Sequence, residues 1–220
     1  KPGEVSLSHN GVLFLDELPE FSKQVLEVLR QPMEDGIVTI SRANASLTYP
    51  AKFILVGAMN PCKCGNYGTD QDCTCSMAEI KRYLGKISGP LLDRFDIHIE
   101  VKPVEYDKLA SKKKPESSET MRKRVEAARV MQKERFKDEG IRTNDDMGAS
   151  QIKKYIKISD DLERLMEIAY KRYNLSARSY NKILKLARTI ADLDQSQNIK
   201  ENHVLEAIRY RSVEEKYWGL

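Results

Sequence analysis

No stretch of the 220 residues is apolar for long enough to span a bilayer, and the opening Lys-Pro-Gly-Glu lacks the apolar core of a signal peptide. Both absences point to a soluble globular chain with the cytoplasm as the expected compartment. Aromatic residues make up 7% and are not interleaved with the basic ones, so no base-stacking surface is written into the sequence. Cysteine is scarce: there are four, all between Cys62 and Cys75. So local a cluster is not a disulfide framework; in a chain of cytoplasmic character it more often binds metal. The net charge of +4 hides an imbalance. The first hundred residues carry 10 basic and 13 acidic side chains, the remaining 120 carry 27 and 20. Because the two signs are interleaved, the basic surplus reads first as a solvated helical surface and only second as a face for nucleic acid.

What is present starts with Gly11-Val-Leu-Phe-Leu-Asp-Glu-Leu-Pro-Glu-Phe21. The run Val12–Leu15 suits a strand buried on both faces of a parallel sheet, ending in two adjacent carboxylates. Open α/β sheets bind ligands at the carboxyl ends of their strands. A first carboxylate there, Asp16, can hold the Mg²⁺ that bridges nucleotide phosphates, and a second, Glu17, can deprotonate an attacking water. These are the features of a Walker B element; taken alone, they also fit a strand that stops in a charged turn.

Downstream, the apolar positions from Phe21 to Met33 predict one amphipathic helix ending at Asp35-Gly36. Ile37–Ile40 and Ser46–Tyr49 predict a hairpin with Arg42 at its tip. A second buried strand, Phe53–Ala58, delivers Asn60, whose amide can contact both a phosphate oxygen and a water, or can simply turn the chain before Pro61. Cys62, Cys64, Cys73 and Cys75 then supply the four thiolates of a structural Zn²⁺ site, with reduced thiols and an iron-sulfur cluster as alternatives. Met77–Ile87 reads as a helix with a basic face, broken at Ser88-Gly89-Pro90. Arg94 precedes a third strand, Ile97–Val101, and is either a local ion-pair partner or an arginine finger acting in a neighbouring subunit. The polar stretch Pro103–Thr120 reads as a linker. Beyond it the 3.6-residue period predicts a helical bundle with its own core, built on Val125, Ala128, Met131 and Phe136; Ile152, Tyr155 and Ile156; Leu162, Leu165, Met166, Ile168 and Ala169; Ile183, Leu184, Leu186, Ala187 and Ile190; and Val204, Ala207 and Ile208. Arg178 stands in the first turn of the fourth of these helices, an unfavourable place for a cation and a weak hint of an anionic partner.

In this order the pieces resemble the AAA+ ATPases related to magnesium chelatase subunit I, and within them the bacterial YifB/ComM-like proteins. The resemblance is carried by residues 1–9, 11–21, 57–65 (Gly-Ala-Met-Asn-Pro-Cys-Lys-Cys-Gly), 87–96 (Ile-Ser-Gly-Pro-Leu-Leu-Asp-Arg-Phe-Asp) and 175–180 (Leu-Ser-Ala-Arg-Ser-Tyr). It implies a partial AAA+ P-loop NTPase core with an incomplete parallel sheet over residues 1–104, a linker at 105–118 and an all-α helical lid over 119–220. It also implies that Asp16 and Glu17 are Walker B, Asn60 is sensor 1, Arg94 the arginine finger and Arg178 sensor 2, with ATP and Mg²⁺ bound at the interfaces of a ring, a hexamer by analogy. The Arg42 hairpin resembles the family's pre-sensor-1 insertion. DNA remodelling by branch migration is the implied work. A chelatase-type ATPase serving metal insertion through a protein partner, and a non-catalytic zinc-bearing interaction module, are the alternatives. One departure accompanies the match: no G-x-x-x-x-G-K-[ST] occurs. The family places that loop upstream, so the 220 residues are expected to be the carboxyl-terminal part of a longer protein, inactive alone, with a gapped sheet.

Overall fold

The computed structural model describes residues 2–42, 45–102 and 115–219. The chain divides into two compact units, Lys1–Phe95 with Lys216–Gly219, and Asp96–Glu215 with Leu220.

In the first unit a one-turn helix α1 (Glu4–Leu7) precedes strand β1 (Val12–Leu15), which pairs in parallel with β4 (Ile54–Gly57) in the register Val12↔Ile54 to Leu15↔Gly57. Among the described residues these two strands form the whole parallel sheet. The strand expected to be buried on both faces is covered on one. Leu13 and Leu15 turn toward a core of Leu18, Leu26, Leu29, Ile87, Leu91 and Leu92, whereas Val12 and Phe14 on the opposite face are each 58% exposed. β4 likewise leaves Ile54 and Val56 exposed. Between β1 and β4 the chain runs through a 3₁₀ turn (Leu18–Glu20), α2 (Lys23–Val28) and α3 (Arg30–Asp35). The sequence predicts one helix here, and the structure has two. Pro32 has no N–H to donate and its ring would press on the carbonyl four residues back, that of Val28, so the helix interrupts at Leu29 and restarts with Pro32 in its first turn. Gly36, at φ +65°, closes α3.

Strands β2 (Ile37–Arg42) and β3 (Ala45–Pro50) form the expected antiparallel hairpin, with a ladder that runs further toward the tip than predicted, to Arg42↔Ala45. The Arg42 side chain lies outside the described residues. Helix α4 (Met77–Leu84) is held by a capping box: Ser76 Oγ accepts from the Glu79 amide, and the Glu79 carboxylate accepts from the Ser76 amide. It stops three residues short of Ile87. Ser88-Gly89-Pro90, read as a break, instead starts a helical turn, α5 (Gly89–Leu92), with Ser88 as N-cap and Pro90 in its first turn.

Ile97–Val101 is not a strand. Among the described residues it pairs with no strand. The His98 amide donates to the Tyr210 carbonyl at 3.0 Å, and Ile97, Ile99 and Val101 are exposed. The second unit is otherwise helical: α6 (Ser118–Arg135), α7 (Ala149–Tyr155), α8 (Asp160–Arg172), α9 (Ala177–Leu193) and α10 (Glu201–Trp218), whose last residues belong to the first unit. The linker expected at 105–118 falls largely outside the described residues. The helical core gathers Phe136, Ile152, Ile156, Leu162, Met166, Ala169, Ile183, Leu184, Ala187, Val204, Ala207 and Ile208 at predicted positions, together with Met147, Ala191 and Ile199, which the periodicity does not single out. Ile168 is 63% exposed and Val125 48%. At 100° per residue Ile168 lies about 200° round the helix from Met166, off the buried face.

Candidate functional site at the strand ends

The two parallel strands deliver their next residues to one place. The Ala58 amide donates to the Leu15 carbonyl at 2.9 Å and the Leu18 amide to the Ala58 carbonyl at 3.0 Å, so the pairing continues past both strands and fixes where each chain turns away. Glu17 sits in that turn with φ 52° and ψ 47°, a left-handed conformation that a residue with a Cβ adopts at a cost of about 1–3 kcal/mol. Two contacts hold it there. The Asp16 carboxylate accepts from the Glu17 amide at 2.9 Å, and Leu18, next in sequence, is buried against Gly57. A Cβ on Gly57 would lie 2.4 Å from Leu18 Cδ1, so the glycine is what lets the 3₁₀ turn close over the end of β4.

The result is a cleft of about 440 Å³ lined by Glu17, Glu20, Asn60, Lys63 and Tyr83. Two of the residues singled out from sequence, Glu17 and Asn60, share it. Asp16 stands at the same strand end, with one carboxylate oxygen on the Glu17 amide. A carboxylate pair, an amide and an ammonium form a donor set that suits a phosphate chain accompanied by a hard divalent cation. Glu20, Lys63 and Tyr83 were not predicted. Lys63 is flagged in the sequence only by its place between two cysteines, and Tyr83 by nothing beyond its helical spacing. Tyr83 is buried, and burial followed by the negative charge of Glu20 holds its phenol above its usual range.

Arg94 follows α5 and does not point freely outward. Its side chain is 11% exposed, pairs with Glu34 of α3 at 2.7 Å, and donates to the Pro90 carbonyl at 2.5 Å. That partner, Glu34, is sixty residues away in sequence. Arg178 lies in the other unit, exposed, in the first turn of α9 behind the Ser176 cap.

All four cysteine sulfurs lie within 4.8 Å of one another. Cys62 Sγ is 3.3 Å from Cys64 Sγ and 3.8 Å from Cys73 Sγ, and Cys64 and Cys73 are 3.5 Å apart. These separations are too long for a disulfide, about 2.05 Å, and close to the ~3.8 Å edge of a tetrahedron with Zn–S bonds of ~2.3 Å. Gly65 and Gly68, at φ +85° and +75°, turn the loop back on itself. The Asn66 amide and the neighbouring Cys62 thiol pull Cys64 down to about 5. Cys73 is pushed up to about 12: a backbone hydrogen bond from Cys75 favours its thiolate, but burial and the surrounding sulfurs outweigh it. Four sulfurs gathered at these separations are a ligand set suited to a cation. The loop is packed rather than hanging in solvent. Cys62 is fully buried in a cluster with Ile80, Tyr83 and Leu84, against which Tyr67, Tyr217 and Trp218 pack, and the Trp218 indole donates to the Leu84 carbonyl.

Two family descriptions match the chain in sequence: magnesium chelatase, subunit ChlI, over residues 1–109, and magnesium chelatase, subunit ChlI C-terminal, over residues 115–211. Competence protein ComM of Haemophilus influenzae is 44% identical over 214 residues, 97% of this chain and 41% of that protein. The uncharacterized protein YifB of Salmonella typhimurium is 42% identical over 215 residues, again 97% and 41%. Magnesium-chelatase subunit ChlI of Synechocystis is 28% identical over 112 residues, 51% of the chain and 26% of that protein. The chain spans about two-fifths of the length of the ComM and YifB relatives. With a parallel strand pair that ends in Asp16-Glu17 and Asn60, and with both family descriptions matched in order, the chain belongs to the magnesium chelatase-related AAA+ family, among its YifB- and ComM-like members.

Proposed function

We propose that this chain carries the water-activating half of an ATP hydrolase, and that the longer protein uses the hydrolysis to remodel DNA. The observation that carries the reading is the convergence of Glu17 and Asn60 on one cleft at the carboxyl ends of two hydrogen-bonded parallel strands. In that geometry Glu17 takes the proton of the attacking water, the Asn60 amide orients it, and Asp16 holds Mg²⁺. The ion, when bound, neutralises charge on the phosphates. Arg94 serves the site of the neighbouring subunit in a ring, a hexamer, once it exchanges Glu34 for phosphate, and Arg178 contacts the nucleotide from the helical unit as a lid. These 220 residues contain no glycine-rich G-x-x-x-x-G-K-[ST] phosphate loop. The thiol cluster holds a structural Zn²⁺.

DNA as the substrate rests on the likeness to a competence protein and on the basic surplus after residue 100. The test is ATP hydrolysis by the full-length protein, with and without branched DNA, beside Glu17→Gln. Loss of a positioned general base lowers kcat by about 10²–10⁴-fold while ATP binding persists. Undiminished turnover in Glu17→Gln would refute the assignment. Hydrolysis indifferent to DNA would transfer the motor to a protein partner, the reading that the likeness to chelatase subunits favours.

A further inference from the structure

Lys63 occupies an unusual position. It lies between two thiols of the cluster, Cys62 and Cys64, yet it also lines the cleft that contains Glu17 and Asn60. The other ionisable groups lining that cleft are two carboxylates, Glu17 and Glu20, and the Tyr83 phenol. A polyphosphate entering such a place meets like charge unless a cation accompanies it. Lys63 also lines an adjoining hollow of about 120 Å³ with Glu79, Arg82, Tyr83 and Lys86. There Glu79 is committed to the Ser76 cap, and the Lys86 ammonium donates to the Pro19 carbonyl at 2.5 Å. Lys63 is exposed, and its charge acts on the Glu79 carboxylate only through space, helping to hold it below its usual range after the Ser76 hydrogen bonds have done so.

We infer that Lys63 is a phosphate-binding residue of this site, and that metal held by the four thiols fixes it there. The inference rests on the ATPase reading and adds regulation to it. Both neighbours of Lys63 are ligands in a tetrahedral thiolate site, so ligation sets the backbone on either side and aims the side chain. Asn60 is joined to the same loop through Pro61 and is steadied with it. Without metal the Lys63 stem is a flexible chain on an untethered loop, and its ammonium gives little to phosphate affinity. The thiol cluster thereby makes nucleotide affinity depend on metal supply.

The experiment is ATP binding by the full-length protein, measured calorimetrically for wild type, Lys63→Gln and Lys63→Arg, each with one equivalent of Zn²⁺ and after chelation. A charge-assisted contact to phosphate predicts that Lys63→Gln weakens binding about tenfold or more, with unchanged Zn²⁺ content, and that Lys63→Arg recovers most of the loss. Chelated wild type falls to the level of Lys63→Gln and recovers when Zn²⁺ returns, whereas chelation of Lys63→Gln costs nothing further. Wild-type affinity in Lys63→Gln would overturn the inference, as would equal losses on chelation in both proteins, because the effect of metal would then bypass Lys63. Failure of the ATPase reading looks different: the wild type would bind no ATP, or Glu17→Gln would still turn over.

Discussion

Asp192 is fully buried and ties together the polar centre of the helical unit. Its carboxylate takes the Arg135 guanidinium at 2.5 and 2.7 Å, Arg188 Nε at 3.1 Å and the Asn144 amide at 2.8 Å. Arg188 is committed further, to the carbonyls of Ser196 and Gln197. Burial pulls its pKa down and the Asp192 charge opposes that pull. Two guanidiniums around one buried carboxylate make its removal costly. Asp192→Ala leaves Arg188 and Asn144 facing a void, and the expected loss is about 3–5 kcal/mol, read from the denaturant midpoint of the helical unit. Replacing Asp192 and Arg188 together costs less than the sum of the two single changes. Little of this shows in the sequence, where Asp192 is one polar residue between Ala191 and Leu193 and its partners lie up to 57 positions away. The residues that were legible are those whose meaning is local: Asp16-Glu17 after an apolar run, Asn60 after another, four cysteines in one loop. Lys63 was visible as a letter, but its place in the cleft depends on how the thiol loop folds back against α4.

At the scale of elements, periodicity located the helices of the second unit, most clearly α8 and α9, whose apolar positions recur on one buried face, and less clearly α6, which buries only Ala128 and Gln132. It erred where a neighbour decides the outcome. Pro32 divides a helix whose apolar spacing runs straight through it, and Ile97–Val101 has strand composition but no strand beside it among the described residues. The join between α2 and α5 also depends on a long-range contact: Ser88 Oγ, the cap of α5, donates to Glu27 at 2.5 Å, while Arg30 holds the other carboxylate oxygen at 2.6 Å. The Ser88 hydroxyl, then Arg30, holds the Glu27 carboxyl below its usual range. A folded-state pKa below the unfolded one gives stability that is present above the unfolded value and is lost as pH falls through the folded one. Wild type should therefore lose stability more steeply than Glu27→Gln as pH drops below about 4.5. Urea midpoints compared across that interval measure it, and parallel curves would show that Glu27 contributes no linkage.

Across the whole molecule the stabilising contacts are unevenly shared. The unit formed by Asp96–Glu215 has one large apolar core with contributions from Phe136 to Ile208, whereas the other unit divides its buried residues between two small clusters. One of those clusters contains Cys62 itself, with Ile80, Tyr83 and Leu84 around it and Tyr67, Tyr217 and Trp218 packed against it. A core this small gains much of its order from whatever binds the four sulfurs. Metal removal is then a local event. Amide hydrogen exchange on the protein with Zn²⁺ and after chelation should show protection falling around Cys62–Cys75, along α4 and at Tyr217-Trp218. Protection in α8 and α9 should hold, since their buried faces touch none of these residues within their own unit. The mechanism requires that difference in place: if Lys63 and Asn60 are aimed by the thiol loop, the loop must loosen while the helical core does not. Equal loss of protection in both units would mean that metal supports the fold as a whole, and a protein unchanged by chelation would mean that packing of Tyr67, Tyr217 and Trp218 alone holds the loop in place.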